Sequence, residues 1–366
     1  MRVLIAPDSF KGSLSATAAA AALAAGWLAV RPGDQVTRLP LADGGEGTLD
    51  VLAATVPGAR WHRARVTGPG GAPVTARWLE LPAGIAVTEL AAASGLPLLA
   101  RPDPMGAQTT GLGEVLGRAL DAGADRILVG LGGSAATDGG TGALAALGAT
   151  FLDAAGRPLP PGGGALATLA RADLSRLRPP PAGGMTCLTD VTAPLLGPRG
   201  AAAVFGPQKG ADGTQIARLE TGLARLAGLL GGDPAAPGAG AAGGTGYGLA
   251  AAWGAVLAPG AAELSRLAGL DRALAEADLV ITGEGRFDAT SLAGKTCGTV
   301  ITAAAAAGVP AALVAGQMSE QPHGIPALAA VVTLAALAGG TDEALAAPRH
   351  WLRRAAQRLA RDGAWD

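Results

Sequence analysis

Short apolar runs that end in polar loops recur along the chain and set its predicted architecture. The first run, Val3–Ala6, stops at Pro7-Asp8, and an alanine-rich segment with helical character follows over residues 16–30. Ser13 or Ser15 can cap that helix, because a serine hydroxyl accepts hydrogen bonds from the N–H groups of a first helical turn. A strand, a polar loop and a helix in this order are typical of parallel α/β sheets.

A different pattern interrupts this alternation. Residues 61–66 and 74–81 alternate between polar and apolar positions on either side of Gly68–Gly71, which predicts an antiparallel hairpin. Strand and helix patterns alternate again from residue 278. We therefore expect an α/β protein of two domains, a Rossmann-like parallel-sheet domain formed by both chain ends and a mixed α/β domain inserted into it. The predicted ranges are 1–67 with 278–366 for the first domain and 68–277 for the second.

The other elements follow from apolar runs, helical periodicity and glycine or proline breaks. Further strands are predicted at residues 36–41, 85–90, 126–129, 278–282, 311–315 and 331–336, with one more ending near Asp190. Further helices are predicted at 48–54, 106–122, 219–230, 298–307 and 345–361, with another that runs through Ala146. Loops are predicted at 42–47, at 283–288 and at the Gly/Ala/Pro-rich stretch 231–248.

Composition and charge exclude several classes of protein. A net charge of −1 without a basic block argues against nucleic-acid binding. Cys187 and Cys297 are far apart, which argues against a disulfide framework or zinc site and indicates a reducing, cytoplasmic compartment. We expect no secretory signal, because Asp8 and Lys11 interrupt the first apolar run. We expect no membrane span either, because glycine and proline divide the uncharged segment 300–318 into a helix and a strand.

Lysine is rare in this chain. Of 28 lysine and arginine residues only three are lysine, and Lys11, Lys209 and Lys295 each stand beside a glycine. A compact ammonium binds phosphate or carboxylate in a tight pocket in a way that a planar guanidinium cannot reproduce. Gly294-Lys295-Thr296 resembles the end of a P-loop, but the required first glycine is Ala289, so only the lysine beside a helix start keeps its value as a phosphate ligand.

A glycine-rich loop follows the predicted strand 126–129. Residues 130–135 fit the dinucleotide fingerprint, and Asp153 lies at the spacing that the ribose-binding acid requires. However, Gly139, Gly140 and Gly142 fall where the pyrophosphate-binding helix should begin, and glycine disfavours a helix. A flexible cradle of backbone N–H groups around phosphates suits the loop better.

Seven carboxylates stand beside glycines or at strand ends. They are Asp8, Asp43, Glu46, Asp138, Asp190, Glu284 and Asp288. Any one of them could be a turn former or helix cap. Together with lysines they provide what phosphoryl transfer requires, namely acids that hold Mg²⁺ and orient a hydroxyl and cations that neutralise the phosphates.

A set of motifs in the same order resembles the bacterial glycerate kinase family over nearly the whole chain. They are Ala6–Ser13, Ala42–Thr48, Gly132–Ser134 with Thr137–Gly140, Thr189–Val191, Phe205–Gly210, Gly243–Gly248, Thr282–Gly285 and Gly294–Thr296. One departure is the segment Ala136-Thr137-Asp138, where the family pattern leads us to expect an asparagine before the aspartate, and this chain contains no asparagine. If that amide contacts a ligand, Thr137 or a water molecule must replace it.

The resemblance implies ATP- and Mg²⁺-dependent phosphorylation of D-glycerate, usually at the 2-hydroxyl, with the active site in a cleft between two α/β domains. Loops of the first domain would hold glycerate, and the glycine cradle of the second would help to hold ATP. Lys11 and Lys295 would neutralise the glycerate carboxylate and the transferring phosphoryl group, in either order. Asp190 or Asp43 would orient the hydroxyl, and another acid would carry Mg²⁺.

The candidate residues fall into four groups. The catalytic group is Lys11, Asp43, Asp190 and Lys295; the substrate-binding group is Asp8, Ser9, Ser13 and Glu46; the nucleotide-binding group is Gly132, Gly133, Ser134, Asp138, Gly283 and Glu284; the metal-binding group is Asp190 and Asp288. Glycerate and ATP are the expected partners, without nucleic acid or membrane, and the chain is compatible with a homo-oligomer.

Two other functions fit parts of the sequence. An NAD(P)-dependent hydroxy-acid dehydrogenase would use the fingerprint at residues 130–135. A non-catalytic sensor of sugar acids would bind glycerate without consuming ATP, although nothing in the chain resembles an output module.

Overall fold

A computed structural model of the chain describes residues 1–292, 294–319 and 328–363. Within these ranges the strands β1 to β13 are Arg2–Ile5, Gln35–Arg38, Arg60–Thr67, Pro73–Leu81, Ile85–Glu89, Arg126–Gly130, Thr150–Leu152, Arg171–Asp173, Met185–Leu188, Val256–Ala258, Leu279–Phe287, Ala311–Met318 and Ala330–Thr333.

The α helices of the same ranges, α1 to α14, are Ala16–Leu28, Thr48–Thr55, Ala91–Ser94, Thr110–Asp121, Thr141–Ala146, Ala201–Phe205, Gly213–Leu230, Ala241–Trp253, Gly260–Ala268, Leu270–Ala275, Thr296–Ala307, Leu334–Ala338, Thr341–Ala346 and Pro348–Asp362. Short 3₁₀ helices occupy Pro82–Gly84, Leu96–Leu98, Gly163–Thr168, Pro207–Lys209 and Ala289–Leu292. None of the helices in the described ranges combines the length and apolar character needed to cross a bilayer.

The chain divides into two compact units. The first consists of Met1–Asp43, Asp50–Pro57 and Pro259–Asp366, and the second of Gly44–Leu49 and Gly58–Ala258. Strand β3, which lies within the range predicted for the first domain, pairs with β4 in the sheet of the second unit. The domain boundaries drawn from the sequence, after residues 67 and 277, stay a prediction.

The first unit is built on a five-stranded parallel sheet in the order β13-β12-β11-β1-β2. Successive strand residues point to opposite faces, so Val3 and Ile5 pack with α1 and α14, whereas Leu4 packs with α10 and α11. Ser15 caps α1 by accepting a hydrogen bond from the Ala18 backbone N–H. Both faces of the sheet are therefore covered by helices, as an all-parallel sheet requires.

The second unit contains a six-stranded mixed sheet in the order β10-β9-β6-β5-β4-β3. The β3–β4 and β4–β5 pairs are antiparallel, whereas β5, β6, β9 and β10 pair in parallel. One large apolar core joins this sheet to its helices, with Leu112, Leu116, Leu223 and Tyr247 among its buried members. The predicted combination of one parallel and one mixed α/β sheet is confirmed.

The loop predicted at 231–248 is wrong for its second half, because α8 begins at Ala241. Ala242, Gly243 and Gly244 near its start have positive φ, and the glycines of this helix allow close packing. A Cβ on Gly243 would lie 2.1 Å from the Ala136 carbonyl oxygen, and one on Gly248 would lie 2.0 Å from that of Gly139. Glycine is required here because two backbones are in contact.

Two strand ends also differ from the prediction. Strand β11 continues through Phe287 instead of giving way to a loop at residue 283, because Arg286 and Phe287 pair with Gln317 and Met318 of β12. The run predicted as a strand over 331–336 changes into α12 at Leu334. The longer β11–β12 pair has a direct consequence for the candidate site, since it carries Glu284 into the interior.

Candidate active site

Polar residues from four parallel strands meet at one edge of the first unit's sheet. Asp8 follows β1, Asp43 follows β2, and Glu284 and Gln317 lie in the last part of β11 and β12. The carboxyl ends of parallel strands share one edge, where ligands of open α/β sheets bind. All four residues line one cavity of about 300 Å³.

The loop after β1 is held tightly by its own backbone. The Asp8 N–H donates to the Gly283 carbonyl at 2.8 Å, and Phe10 and Leu14 exchange two backbone hydrogen bonds at 2.8 and 2.9 Å. The Ser13 hydroxyl donates to the Phe10 carbonyl at 2.9 Å. This turn fixes the base of the loop while Lys11 remains exposed at its tip.

Buried carboxylates dominate the floor of the cavity. Asp8, Asp43 and Glu284 have exposed fractions of 8%, 7% and 9%. Burial and the nearby charge of Asp43 raise the pKa of Asp8 to about 6, against the opposing effect of Lys11. Burial and the charge of Asp8 raise the pKa of Glu284 to about 7, although Lys295 opposes the shift. Ionising both Asp8 and Glu284 beside Asp43 is therefore unfavourable unless a positive charge lies close by.

One oxygen of Glu284 has no internal partner. Its Oε1 is buried and makes no hydrogen bond to any residue that the structure describes. A buried polar atom without a partner is costly, and such atoms in native proteins are often completed by a ligand, ion or water. This oxygen is thus a donor atom that a bound cation or a ligand hydroxyl could satisfy.

Lys295 lies at the start of α11 and is half-buried. Its Nζ donates to the Thr290 hydroxyl at 3.1 Å, and that hydroxyl donates to Asp288 Oδ1 at 2.6 Å. The hydrogen bonds from Thr290 hold the pKa of Asp288 below its ordinary value. Lys11 and Lys295 line the same cavity, which therefore offers two ammonium groups to an anionic ligand.

Gly283 has a packing role inside the sheet. A Cβ at this position would lie 2.2 Å from the Val314 carbonyl oxygen of the neighbouring strand. Gly316 of that strand approaches Gly285 in the same way, with 2.3 Å from its Cβ position to the carbonyl oxygen. The glycines at this edge let β11 and β12 approach closely beneath the cavity.

The predicted nucleotide loop belongs to the second unit. Gly132 and Gly133 are exposed after β6, and Gly133 has a φ of +74°. Ser134 is buried, and its Oγ accepts a hydrogen bond from the Ala136 N–H at 3.1 Å. Positive φ and an open backbone suit a turn that presents N–H groups to an anion.

Asp138 is fully buried in the second unit. It accepts hydrogen bonds from the Thr109 N–H and hydroxyl at 2.9 and 2.8 Å, and from the N–H groups of Gly140 and Gly142 at 3.0 and 3.2 Å. Burial raises the pKa of Asp138, although these hydrogen bonds oppose the shift. The carboxylate holds the loop together from inside.

Lys209 is the lysine whose location the sequence does not reveal. It is 2% exposed, and its Nζ donates to the Ala136 carbonyl and, at 3.4 Å, to the Thr137 hydroxyl. Burial lowers its pKa to about 8. Lys209 thus supports the segment 136–138, which lacks the asparagine expected from the family pattern.

The structure brings eight of the predicted residues to the cavity of the first unit. They are Asp8, Ser9, Lys11, Ser13, Asp43, Glu284, Asp288 and Lys295. Glu46 and Asp190 are exposed residues of the second unit, where Gly132, Gly133, Ser134 and Asp138 also lie. The sequence reasoning missed Arg286, Gln317 and Thr341, which line the cavity as well.

The described residues contain no cluster of three His, Cys, Asp or Glu side chains arranged to hold a metal ion. Mg²⁺ bound with phosphates commonly takes only one or two carboxylates from the protein and fills its other positions with phosphate and water oxygens. Asp8 and Asp43, which repel each other, and the unpartnered Glu284 oxygen are hard donors of the kind that Mg²⁺ prefers. The residues present therefore fit a nucleotide-borne magnesium ion.

Two lysines and buried carboxylates at the strand ends define an α/β protein with a site for an anionic, metal-associated ligand. The family model described as the glycerate kinase family matches residues 3–363. The chain belongs to the glycerate kinase family.

Individual relatives agree with this assignment. A glycerate kinase of Bacillus subtilis is 44% identical over 349 residues, which cover 91% of this chain and 90% of the relative. The glycerate 2-kinase of Escherichia coli is 39% identical, with coverage of 98% and 97%. A crystal structure of a putative glycerate kinase 2 from Salmonella typhimurium matches with a TM-score of 0.84 and 41% identity, covering 98% of this chain and 97% of that chain.

The dehydrogenase alternative is not supported. The matching family model is that of the glycerate kinases, and the Bacillus subtilis and Escherichia coli relatives carry that name. The residues of the fingerprint also have other contacts in the structure. Asp153, the expected ribose ligand, accepts hydrogen bonds from the Arg157 N–H and Nε, both at 2.9 Å. The helix after the loop, α5, begins only at Thr141, behind two glycines with positive φ.

Proposed function

We propose that this protein transfers the γ-phosphoryl group of ATP to the 2-hydroxyl of D-glycerate, with 2-phosphoglycerate and ADP as products. The observation that carries the proposal is that Lys11 and Lys295 line the same cavity as three buried carboxylates, in a chain of the glycerate kinase family. The position of transfer rests on the Escherichia coli relative, which is named a glycerate 2-kinase.

The lysines supply the positive charge that both substrates require. Lys11, exposed on a rigid turn, and Lys295, held by Thr290, neutralise the glycerate carboxylate and the phosphoryl oxygens, in either order. Phosphoryl transfer depends mainly on positioning and on charge stabilisation, so fixed ammonium groups contribute directly to the rate.

Asp43 orients the attacking hydroxyl in our mechanism. It lines the same cavity as the two lysines, whereas Asp190, the alternative from the sequence, is an exposed residue of the other unit. As the new O–P bond forms, the hydroxyl proton passes to the carboxylate and the γ O–P bond of ATP breaks, with the electron pair remaining on ADP.

Mg²⁺ would be held by Asp8, with the unpartnered Glu284 oxygen as a second hard donor of the same cavity. When bound, the ion neutralises charge on the β- and γ-phosphates. Asp288, whose carboxylate already accepts two hydrogen bonds from Thr290, is the weaker candidate from the sequence. Asp190 and Asp288 as magnesium ligands stay predictions.

The glycine loop of the second unit contributes backbone N–H groups to the phosphates of ATP in our proposal. The exposed Gly132 and Gly133 and the turn beside Ser134 support this role. Asp138 and Gly283 act structurally, because the former is saturated with internal hydrogen bonds and the latter is closed in by Val314.

We place the enzyme in the cytoplasm. Cys187 and Cys297 are both free and buried, which fits a reducing compartment where thiols persist.

An assay of ADP release across D-glycerate, L-glycerate and other hydroxy acids tests the proposal, and NMR of the product separates 2- from 3-phosphoglycerate. We expect D-glycerate to give the highest kcat/KM and the 2-phosphate. Glycerate binding without ADP release would support a sensor instead, and phosphorylation only of other acids would overturn the substrate assignment.

Replacing Lys11 tests the site itself. We expect Lys11→Ala to lower kcat/KM by roughly 100-fold or more, the effect of removing a charge-stabilising donor from an active site. Arg272→Ala is a suitable control, because that side chain is 88% exposed on α10. Unchanged turnover of Lys11→Ala with glycerate would refute the central role that we give to this lysine.

A further inference from the structure

The lining of the first unit's cavity combines the charged groups described above with apolar residues. Leu334, Ala344, Leu345 and Pro348 come from the consecutive helices α12, α13 and α14, and Phe10 shares one apolar cluster with Leu334 and Ala344. We call these five residues the apolar end of the cavity. The glycerate kinase reaction as proposed uses only the charged end.

The apolar end does not match glycerate. Glycerate is a three-carbon acid with an oxygen on every carbon, so apolar walls would strip water from it without replacing its hydrogen bonds. The cavity measures about 300 Å³, and pockets of roughly this size or larger hold ligands much bigger than a three-carbon acid. The other substrate, ATP, carries a planar apolar base as well as phosphates.

Gln317 and Thr341 are polar residues of the same lining, and Thr341 is the first residue of α13, which also carries Ala344 and Leu345. The Gln317 amide donates to the Thr341 hydroxyl at 2.5 Å, which fixes its orientation. A side-chain amide has two donor hydrogens and an acceptor oxygen, so one bond to Thr341 leaves further capacity. Glutamine can pair with an adenine edge through two hydrogen bonds at once.

Leu345 adds a further observation. It is 56% exposed on α13, an unusually large exposure for leucine in this chain. A flat apolar ligand in the cavity would cover part of this surface, since Leu345 is one of the lining residues.

We propose that the apolar end binds the adenine base of ATP, with Gln317 pairing to the edge of the base and Leu345 covering its face. This assignment rests on the proposed kinase function and deepens it. It places recognition of the base in the first unit, so the glycine loop of the second unit is not needed to recognise the base.

Leu345→Ala and Gln317→Ala in the full-length protein test the assignment, with Leu229→Ala as the matched control. Leu229 is a leucine on α7 that is 42% exposed and does not line the cavity. The measurements are the Kd for ADP by calorimetry without glycerate, the KM for ATP and for D-glycerate, and the ratio of kcat/KM for ATP over GTP.

We expect Leu345→Ala to raise the Kd for ADP and the KM for ATP about five- to tenfold, the effect of losing part of one leucine contact. Gln317→Ala should raise both by a similar factor and reduce the preference for ATP over GTP. The KM for D-glycerate should stay unchanged in both variants, and Leu229→Ala should match the wild type throughout.

Two results would overturn the assignment. A higher KM for D-glycerate with unchanged ADP affinity would give the apolar end to the acid substrate. Unchanged ADP affinity in both variants, with loss of affinity in Ser134→Ala, would give the base to the other unit. A different result separates the two proposals. If the wild-type protein binds ADP but phosphorylates no acid, the proposed function is refuted. The Kd for ADP then still tests the base assignment, which is refuted if neither variant changes that Kd.

Discussion

Replacing Glu284 by glutamine should stabilise the protein at neutral and alkaline pH while impairing turnover. The Glu284 carboxyl is 9% exposed, and one of its oxygens has no hydrogen-bond partner in the described part of the chain. Its pKa is raised from 4.5 to about 7, first by burial and then by the charge of Asp8. Ionising this group in the folded state is therefore unfavourable, and an amide of the same shape avoids the charge.

The direction of the pH dependence follows from proton binding to Glu284 in the folded and unfolded states. Between about pH 4.5 and pH 7 the folded protein keeps a proton on Glu284 that the unfolded chain releases, so stability falls as the pH rises through this window. The slope is about 1.4 kcal/mol per pH unit, which accumulates to about 3 kcal/mol over the whole window. Glu284→Gln lacks this titration, so its unfolding free energy relative to the wild type should rise by about 3 kcal/mol between pH 4.5 and pH 7.

Urea unfolding at half-unit steps from pH 4.5 to pH 8, with EDTA present, measures this difference. Glu276→Gln, at the exposed residue that follows α10, serves as control. It should change the unfolding free energy by less than about 0.5 kcal/mol at any pH, as surface substitutions usually do. A difference between Glu284→Gln and the wild type that stays flat with pH, or that falls as the pH rises, would refute the reasoning. In the ADP-release assay the variant should turn over more slowly, since the carboxylate belongs to the candidate site.

Three further substitutions test the packing and electrostatics of the two units by urea unfolding. A Cβ on Gly26 would lie 2.3 Å from the Arg353 carbonyl oxygen, so Gly26→Ala should lower the unfolding free energy by about 2–3 kcal/mol through overpacking of α1 against α14. Gly33→Ala is the control, because the space around Gly33 is open, and it should be neutral or slightly stabilising. Equal effects of the two substitutions would contradict this reasoning. Although burial opposes its ionisation, contacts with an ammonium and an arginine lower the pKa of Asp34 to about 2. The stability that these contacts confer is present above about pH 4 and is lost as the pH falls through 2. The unfolding free energy of Asp34→Asn should therefore be about 1–2 kcal/mol lower than that of the wild type at pH 6, and this difference should vanish near pH 2. A difference that does not change with pH would contradict this reasoning. Lys209→Met should lower the unfolding free energy by about 1–3 kcal/mol, because the Ala136 carbonyl and the Thr137 hydroxyl, both buried, each lose one donor. An unchanged value would show that the ammonium contributes no net stability.

Much of the fold could be predicted because apolar runs in an α/β protein report strands directly. Buried parallel strands are apolar on both faces, as Val3–Ala6 illustrates, and each is followed by a loop with its own polar signature. The loop predicted over the glycine-rich stretch 231–248 was wrong in its second half for a physical reason. Glycine permits flexibility and close backbone contact equally well, and only the partner backbone, here residues 136–140, decides between them.

The candidate site could likewise be predicted only in part. Lys11 and Lys295 could be found because rare lysines beside glycines stood next to a strand end or a helix start. Lys209 shows the same local signal, yet it lies buried in a short 3₁₀ helix and bonds the backbone of a distant segment. Its partner is 73 residues away, and no local pattern specifies a contact across that separation.

Glu284 shows why electrostatics was the least predictable part of the site. As part of the loop expected at 283–288 it would have been a solvated carboxylate with little reason to hold a proton. Pairing of β11 with β12 continues past it to Phe287, and the pairing buries the group beside Asp8. The extent of pairing depends on Gly283 and Gly316, which let the two strands approach closely. A carboxyl that titrates near neutral pH is therefore a product of sheet register, and a substitution that shortened the β11–β12 pair would return Glu284 towards its ordinary pKa without touching the residue itself.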